Sequence, residues 1–144
     1  MRSDYLNENS GKSDHLRKYE VITVARTLTA ADSGRVFGID QDSGAYEITL
    51  PLAATAGAGW HVTFINVDVG SNAVTIANNT DEDTIVGYTS GGDGGAGSST
   101  DSTAVDEIVF IDGSQLGDKC ELFCDGVYFY ANAVAHDVAH ITIS

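Results

Sequence analysis

The stretch GDKCELFCDGVYFYANA, at residues 117–133, sets two cysteines four residues apart and follows them with an Asp-Gly pair and an aromatic run. Strand side chains alternate between two faces, so Cys120, Leu122 and Cys124 share one face. The opposite face carries Lys119, Glu121 and Phe123. The two cysteine Cα atoms would lie about 13 Å apart on a strand, whereas a disulfide needs them within about 7 Å. We therefore predict free cysteines in a core, followed by a two-residue hairpin turn at Asp125 and Gly126.

Similar runs, rich in Val, Ile, Thr, Tyr and Phe, recur along the chain between clusters of Gly, Asp, Asn and Ser. The nine runs are YEVITVA, RVFGI, AYEITLP, WHVTFINV, AVTIA, EIVFI, KCELFC, VYFYANA and HITIS. Turn-like stretches separate several of them, namely ADSG at 31–34, DQDSG at 40–44 and VGSN at 69–72. This spacing predicts an all-β fold, an antiparallel β-sandwich or barrel of jelly-roll-like form.

Two segments fall outside this pattern. Residues 1–18 are polar and lack periodicity, which predicts an extended N-terminal arm. Residues 90–103, SGGDGGAGSSTDST, form a Gly/Ser tract without a large apolar side chain, and we expect a long surface loop there. The remaining runs then belong to one β-sandwich domain over residues 19–144.

The composition excludes several classes of function. The chain has 7 Lys and Arg against 21 Asp and Glu, a net charge of −14. Nucleic-acid binding needs clustered cations, so we expect no nucleic-acid partner. No run of eighteen apolar residues occurs, and the first residues carry too many charges for a signal peptide, so we expect neither a membrane partner nor secretion. Free thiols agree with synthesis in a reducing cytoplasm.

The residues that could carry chemistry give weak signals. His136 and His140 stand four apart, but two histidines without a third ligand make a poor metal motif, so we predict a polar strand end. No nucleophile, metalloprotease or phosphate-loop motif occurs. We therefore expect a protein that is not an enzyme, with no catalytic, metal or cofactor-binding residues. The acidic turn TDEDT at 80–84 leaves calcium binding open.

The aromatic residues have two candidate uses. Candidates for a carbohydrate-binding platform are Trp60, Tyr88, Tyr128 and Tyr130. Trp60, however, opens an alternating strand in which Val62 and Phe64 share its face. We therefore predict that Trp60 packs in the core.

Five motifs occur in order between residues 25 and 132. They are LTAADSG at 28–34, ITLP at 48–51, GWHVTF at 59–64, AVTI at 73–76 and GDKCELFCDG at 117–126. In these motifs the chain resembles the small β-rich virion proteins of tailed bacteriophages, a group that includes capsid decoration (cement) proteins, head fibres and tail-fibre modules. The resemblance implies a structural protein of the virion that is commonly a homotrimer. The motifs are strand and turn chemistry, so no interface residue is carried over from the group.

Within that group, a free-standing chain of 144 residues with a polar arm favours a capsid decoration protein. The resemblance implies that such an arm binds the major capsid protein on the capsid exterior and bridges capsomers. The expected capsid-docking residues are Arg2, Tyr5, Leu6, Lys12, Leu16, Arg17, Lys18 and Tyr19. The alternative in the same setting is a head-fibre or tail-fibre component that binds host surface glycans. A stand-alone carbohydrate-binding or hydrolytic β-protein is the third hypothesis.

Overall fold

The computed structural model describes residues 16–79, 83–97 and 103–144, and β-strands dominate these residues. The strands are β1 (Tyr19–Ile22), β2 (Arg26–Thr27), β3 (Val36–Asp40), β4 (Tyr46–Thr49), β5 (His61–Asp68), β6 (Val74–Ala77), β7 (Ile85–Gly91), β8 (Glu107–Phe110), β9 (Lys119–Cys124), β10 (Phe129–Ala135) and β11 (Ile141–Ile143). The helical elements are one short α-helix, Ala53–Ala56, and two 3-10 turns, Ala30–Asp32 and Val138–His140. The predicted all-β fold is confirmed, and each of the nine predicted runs contains a strand.

The strands form two mixed sheets. One has the order β1-β3-β5-β9-β10-β7, and the other has the order β11-β8-β6-β4-β2. From β1 to β6 the chain changes sheet at every connection, and each return adds the next strand in parallel. In the first sheet Tyr19 pairs with Val36, and Val36 pairs with Thr63. The first six strands therefore form three stacked coils, as in a short β-solenoid.

The predicted antiparallel pairing needs correction. It holds for four of the nine ladders among the described strands, and the other five are parallel. The turn-like stretches at 31–34, 40–44 and 69–72 close no hairpin, because each carries the chain into the other sheet. Gly, Asn, Asp and Ser favour sharp turns of either kind, so turn chemistry alone could not distinguish a hairpin from a change of sheet.

The corners of successive coils stack on one another. The backbone amide of Gln41 donates a hydrogen bond to the backbone carbonyl oxygen of Asp68 at 3.2 Å. Asn72 Nδ2 donates one to the backbone carbonyl oxygen of Gln41 at 2.8 Å. A Cβ at Gly70 would lie 2.3 Å from that same carbonyl oxygen. Only glycine therefore fits where the later corner lies on the earlier one.

The predicted hairpin at the end of β9 is present, with Phe129 opposite Cys124 in an antiparallel ladder. Its connection has four residues, 125–128, instead of the two predicted. Asp125 Oδ1 accepts hydrogen bonds from the amides of Val127 and Tyr128 at 2.8 and 2.7 Å. The aspartate thus organises a wider loop through its side chain, and β10 begins two residues later than the sequence run.

The sequence pattern does not predict two of the strands. β2 has only two residues, and β7 contains Gly87 and ends inside the predicted loop at 90–103. Gly87 pairs with Ala131, and a Cβ at position 87 would lie 2.1 Å from the Ala131 carbonyl oxygen. The glycine that obscures the strand in the sequence is therefore required for its approach to β10.

Buried residues of both sheets form one hydrophobic cluster. Phe37 and Phe64 stack with their ring centroids 5.8 Å apart, and Trp60 meets Phe129 edge-on at 5.6 Å. Trp60, Val62 and Phe64 are buried together, so the prediction of core packing for Trp60 is confirmed. This excludes Trp60 from any carbohydrate platform.

Candidate functional site

The two cysteines are buried, free and on one face of β9, as predicted. Burial raises the pKa of the Cys120 thiol to about 12. Burial also raises the pKa of Cys124, whose Sγ accepts a hydrogen bond from the Gly126 amide at 3.3 Å. Thiols with raised pKa values remain protonated near neutral pH and are poor nucleophiles and metal ligands. The cysteines therefore serve packing.

The two C-terminal histidines converge on a single buried carboxylate, that of Asp118. His136 Nδ1 lies 2.6 Å from Asp118 Oδ1, and His140 Nδ1 lies 2.9 Å from Oδ2. The Asp118 carboxylate also accepts hydrogen bonds from the backbone amides of His136 and Gln115, both at 2.8 Å. An ionised carboxylate only accepts, so both histidine Nδ1 atoms carry their proton in this arrangement. The pair predicted to be a polar strand end is thus part of a closed hydrogen-bond cluster.

The charge of Asp118 is stabilised although its side chain is inaccessible to solvent. Burial raises the pKa of Asp118, but the hydrogen bonds from His136, Gln115 and His140 outweigh it and hold the pKa below its ordinary value. The sequence contained a signal for this residue. Cys120, Leu122 and Cys124 alternate along one face of the strand. If this alternation is continued two residues toward the N-terminus, Asp118 falls on the same inward face.

Three further buried polar residues lie beside Asp118, namely Gln41, Asn66 and Ser114. Asn66 Nδ2 donates hydrogen bonds to Gln41 Oε1 at 3.1 Å and to the Ser114 carbonyl oxygen at 2.9 Å. Ser114 Oγ donates a hydrogen bond to the backbone carbonyl oxygen of His140 at 2.8 Å. The backbone amide of Asn66 donates one to the backbone carbonyl oxygen of Asp118 at 2.8 Å. We call these four residues, with His136 and His140, the polar layer. It joins the corner at Gln41 to the 3-10 turn that precedes β11.

The polar layer is not arranged as a metal centre. Within residues 16–79, 83–97 and 103–144 no group of three or more His, Cys, Asp or Glu side chains is placed to hold a metal ion. Both histidines already direct Nδ1 to Asp118. In the acidic turn at 80–84, the first three residues lie outside the described part, and Thr84 Oγ1 donates to Asn78 Oδ1 at 2.7 Å.

The arm predicted to bind the capsid is described only at its end. Arg2, Tyr5, Leu6 and Lys12 lie outside the described residues. Leu16, Arg17 and Lys18 are exposed and precede β1, and exposed Tyr19 is the first residue of that strand. Arg17 Nη1 donates to Thr63 Oγ1 at 3.4 Å, so this end of the arm lies against the outer side of β5.

The outer side of the same six-stranded sheet presents a contiguous set of aromatic and aliphatic side chains. The ladders place Phe123 beside Tyr130 and Tyr130 beside Val86, with Tyr88 beside Asn132 in the next row. Phe123, Tyr88 and Tyr130 are 50 %, 52 % and 43 % exposed. We call the surface formed by Val86, Tyr88, Phe123, Tyr130 and Val134 the aromatic face.

A groove of about 390 Å³ lies on the aromatic face, where β9, β10 and β7 meet. Its polar residues include Glu121 and Asn132, which pair with each other across β9 and β10. Of the aromatic residues proposed from sequence as a platform, Tyr88 and Tyr130 line this groove. Phe123 also lines this groove. The sequence pattern predicted that Phe123 faces away from the cysteines but did not place it with the tyrosines.

Comparison with protein-family models and with curated proteins gives no match for this chain. Among the described residues, no helix combines the length and the apolar character needed to cross a membrane.

Proposed function

We propose that this protein is a capsid decoration (cement) protein of a tailed bacteriophage, which binds the outer surface of the head as a homotrimer and bridges capsomers. The resemblance in the five sequence motifs supplies the phage setting. Those motifs fall on strands and connections of the fold, at the β2–β3 corner, at the end of β4, on β5 and β6, and at the β9–β10 hairpin. They are therefore consistent with a common scaffold.

The observation that carries the docking mechanism is the exposed start of the described chain. Leu16 is 73 % exposed, and Arg17, Lys18 and Tyr19 beside it are exposed as well. Two cations and two apolar side chains in a row suit binding to an acidic and partly apolar surface, because they combine charge pairing with apolar anchors. The body itself is strongly acidic, so the cationic end of the arm differs from the rest of the surface.

Bridging stabilises a shell by avidity. Each arm orders a short segment when it binds, which costs conformational entropy, but a trimer makes three attachments whose later binding steps are effectively intramolecular. The shell then resists expansion or rupture because neighbouring capsomers are linked through one rigid body. No chemical step is required, and the major capsid protein is the proposed partner.

Deletion of residues 1–18 tests the proposal. The truncated chain begins at β1, so we expect it to keep its β-rich circular dichroism spectrum and to lose binding to expanded capsids in a co-sedimentation assay. A finer test compares Leu16→Ser with Leu116→Ser, because both leucines are highly exposed but only Leu16 belongs to the arm. Leu16→Ser should weaken capsid binding, and Leu116→Ser should not. Full binding by the truncated chain would overturn the docking role.

A second candidate function is a head-fibre or tail-fibre component that binds host surface glycans. The observation that favours it is the groove on the aromatic face, because Tyr88, Phe123 and Tyr130 offer ring faces against which sugars stack. A glycan array probed with the wild-type protein and with Tyr88→Ala tests this function. Binding that disappears in Tyr88→Ala would support it, and an array without signal would remove it.

A further inference from the structure

We infer that copies of this chain associate with one another through the aromatic face, and that this contact builds the homotrimer. The number of copies, three, rests on the proposed function. The surface itself is identified from the exposure, the charge and the area of described residues. Because self-association is measured without capsids, its failure and the failure of capsid docking are separate results.

The apolar side chains of the aromatic face lie next to one another on the sheet. Phe123, Tyr130 and Tyr88 come from three adjacent strands, and each leaves about half of its side chain in contact with solvent. Isolated exposed hydrophobic residues are normal, but a contiguous group on one sheet face is characteristic of an interaction surface. Tyrosine and phenylalanine are also among the residues enriched at protein interfaces.

The charged side chains on the central strands of the aromatic face are paired with each other. On the central strands of this face the cation Lys119 lies 3.6 Å from the carboxylate of Glu121, so the two charges offset each other. The chain as a whole has a net charge of −14, and two copies repel wherever their acidic surfaces approach. The Asp125 carboxylate lies at the edge of this face and accepts the Tyr130 hydroxyl hydrogen bond. The central strands, where Lys119 and Glu121 are paired, are where copies of an acidic protein can meet at a low electrostatic cost.

The exposed apolar area of the aromatic face matches the centre of a protein interface. Aromatic side chains present roughly 150–250 Å² each, so three half-exposed rings offer about 300 Å² of apolar surface. Val134 on β10, 42 % exposed, extends this surface along the strand. A stable interface buries about 800 Å² per partner with an apolar centre and a polar rim. The aromatic face has the size of such a centre.

The polar groups of the groove favour a protein partner over a sugar. The Tyr130 hydroxyl already donates to Asp125 Oδ2 at 3.0 Å, and Glu121 is paired with Lys119. Sugar recognition needs several convergent polar groups that remain available to the ligand's hydroxyls. Apart from the Tyr88 hydroxyl and the Asn132 amide, the groove offers mainly apolar walls. Those walls suit the side chains of another copy.

The test is the molar mass of the full chain, measured by multi-angle light scattering and sedimentation equilibrium over about a hundredfold range of protein concentration. We expect the wild type to have three times the chain mass. Phe123→Thr with Tyr88→Thr keeps strand-forming residues while removing two rings, and should weaken association at least about tenfold. Val24→Thr is the matched control, because Val24 is exposed but lies in the connection between β1 and β2, away from the aromatic face. This variant should keep the wild-type mass.

Circular dichroism and thermal unfolding verify that the double variant remains folded. A wild type that stays monomeric at all concentrations would overturn the inference, as would a folded double variant with the wild-type mass. A glycan-array signal that depends on Phe123 and Tyr88, without any change in mass, would assign the face to a sugar instead.

Discussion

The polar layer and the aromatic face reverse the usual distribution of polar and apolar groups. In the polar layer a fully buried carboxylate is surrounded by four donors from three residues, including two histidine rings. On the aromatic face three rings from adjacent strands remain half exposed. The residues that look chemically active are thus occupied in holding the chain together, and the chemically inert ones are available to a partner.

The largest effect is expected from breaking the polar layer at its centre. Asp118→Asn places an amide group among N–H donors, so at least one buried donor loses its acceptor. We expect the free energy of unfolding to fall by about 3–5 kcal/mol, measured by urea denaturation. Asp112→Asn, at an exposed aspartate, should change it by less than about 0.5 kcal/mol. Equal effects of the two substitutions would contradict the role of Asp118.

Acid titration probes the same carboxylate. The pKa of Asp118 is lowered in the folded protein, so its contribution to stability is present above its unfolded pKa of about 3.9. That contribution is lost as the pH falls through the lower, folded-state pKa. We therefore expect the difference in unfolding free energy between wild type and Asp118→Asn to shrink as the pH falls below about 4. A difference that stays constant with pH would show that the carboxylate charge is not what stabilises the layer.

The two histidines should contribute unequally. The His140 side chain is 15 % exposed, and that of His136 is 56 % exposed. His136→Ala also retains the backbone amide that donates to Asp118. We expect His140→Ala to cost about 1–2 kcal/mol and His136→Ala to cost less, in urea denaturation at neutral pH. The reverse order would mean that solvent exposure does not decide the strength of these two contacts.

The smallest effect on stability is expected at the aromatic face. Phe123→Thr should lower the free energy of unfolding by no more than about 1 kcal/mol when measured at low protein concentration, because half of the ring is already in water. Its neighbour Leu122 is buried, and Leu122→Ala should cost about 2–5 kcal/mol. If Phe123→Thr cost as much as Leu122→Ala, the ring would belong to the core and not to a free surface.

Local patterns predicted part of this contrast. Alternation along β9 placed Cys120 and Cys124 inward and Phe123 outward, and it required only neighbouring residues. The joining of Asp118 to His136 and His140 depends on contacts across eighteen and twenty-two sequence positions, so no local pattern contains it. The grouping of Tyr88 with Phe123 and Tyr130 likewise depends on strand order.

Strand direction was the main element of the fold that the sequence did not predict. The run of β-forming residues in each strand is compatible with parallel or antiparallel pairing, and the corners use ordinary turn residues. Stacking contacts such as that between Gly70 and Gln41 decide where each corner leads, and these form only when two coils are adjacent. The glycines of β7 interrupt its run of β-forming residues, which is why the sequence pattern did not predict this strand.

The position of β7 has a consequence for synthesis of the chain on the ribosome. Its only neighbour in the sheet order of the described strands is β10, from which β8 and β9 separate it in the sequence. At about 5–20 residues per second, β7 waits roughly 2–9 s before β10 has been made. An unpaired strand of purely apolar, β-branched residues would be prone to wrong pairing during that interval. The glycines in β7 lower its intrinsic tendency to form a strand, so we expect the residues that obscure this strand in the sequence to limit wrong pairing while the chain is incomplete.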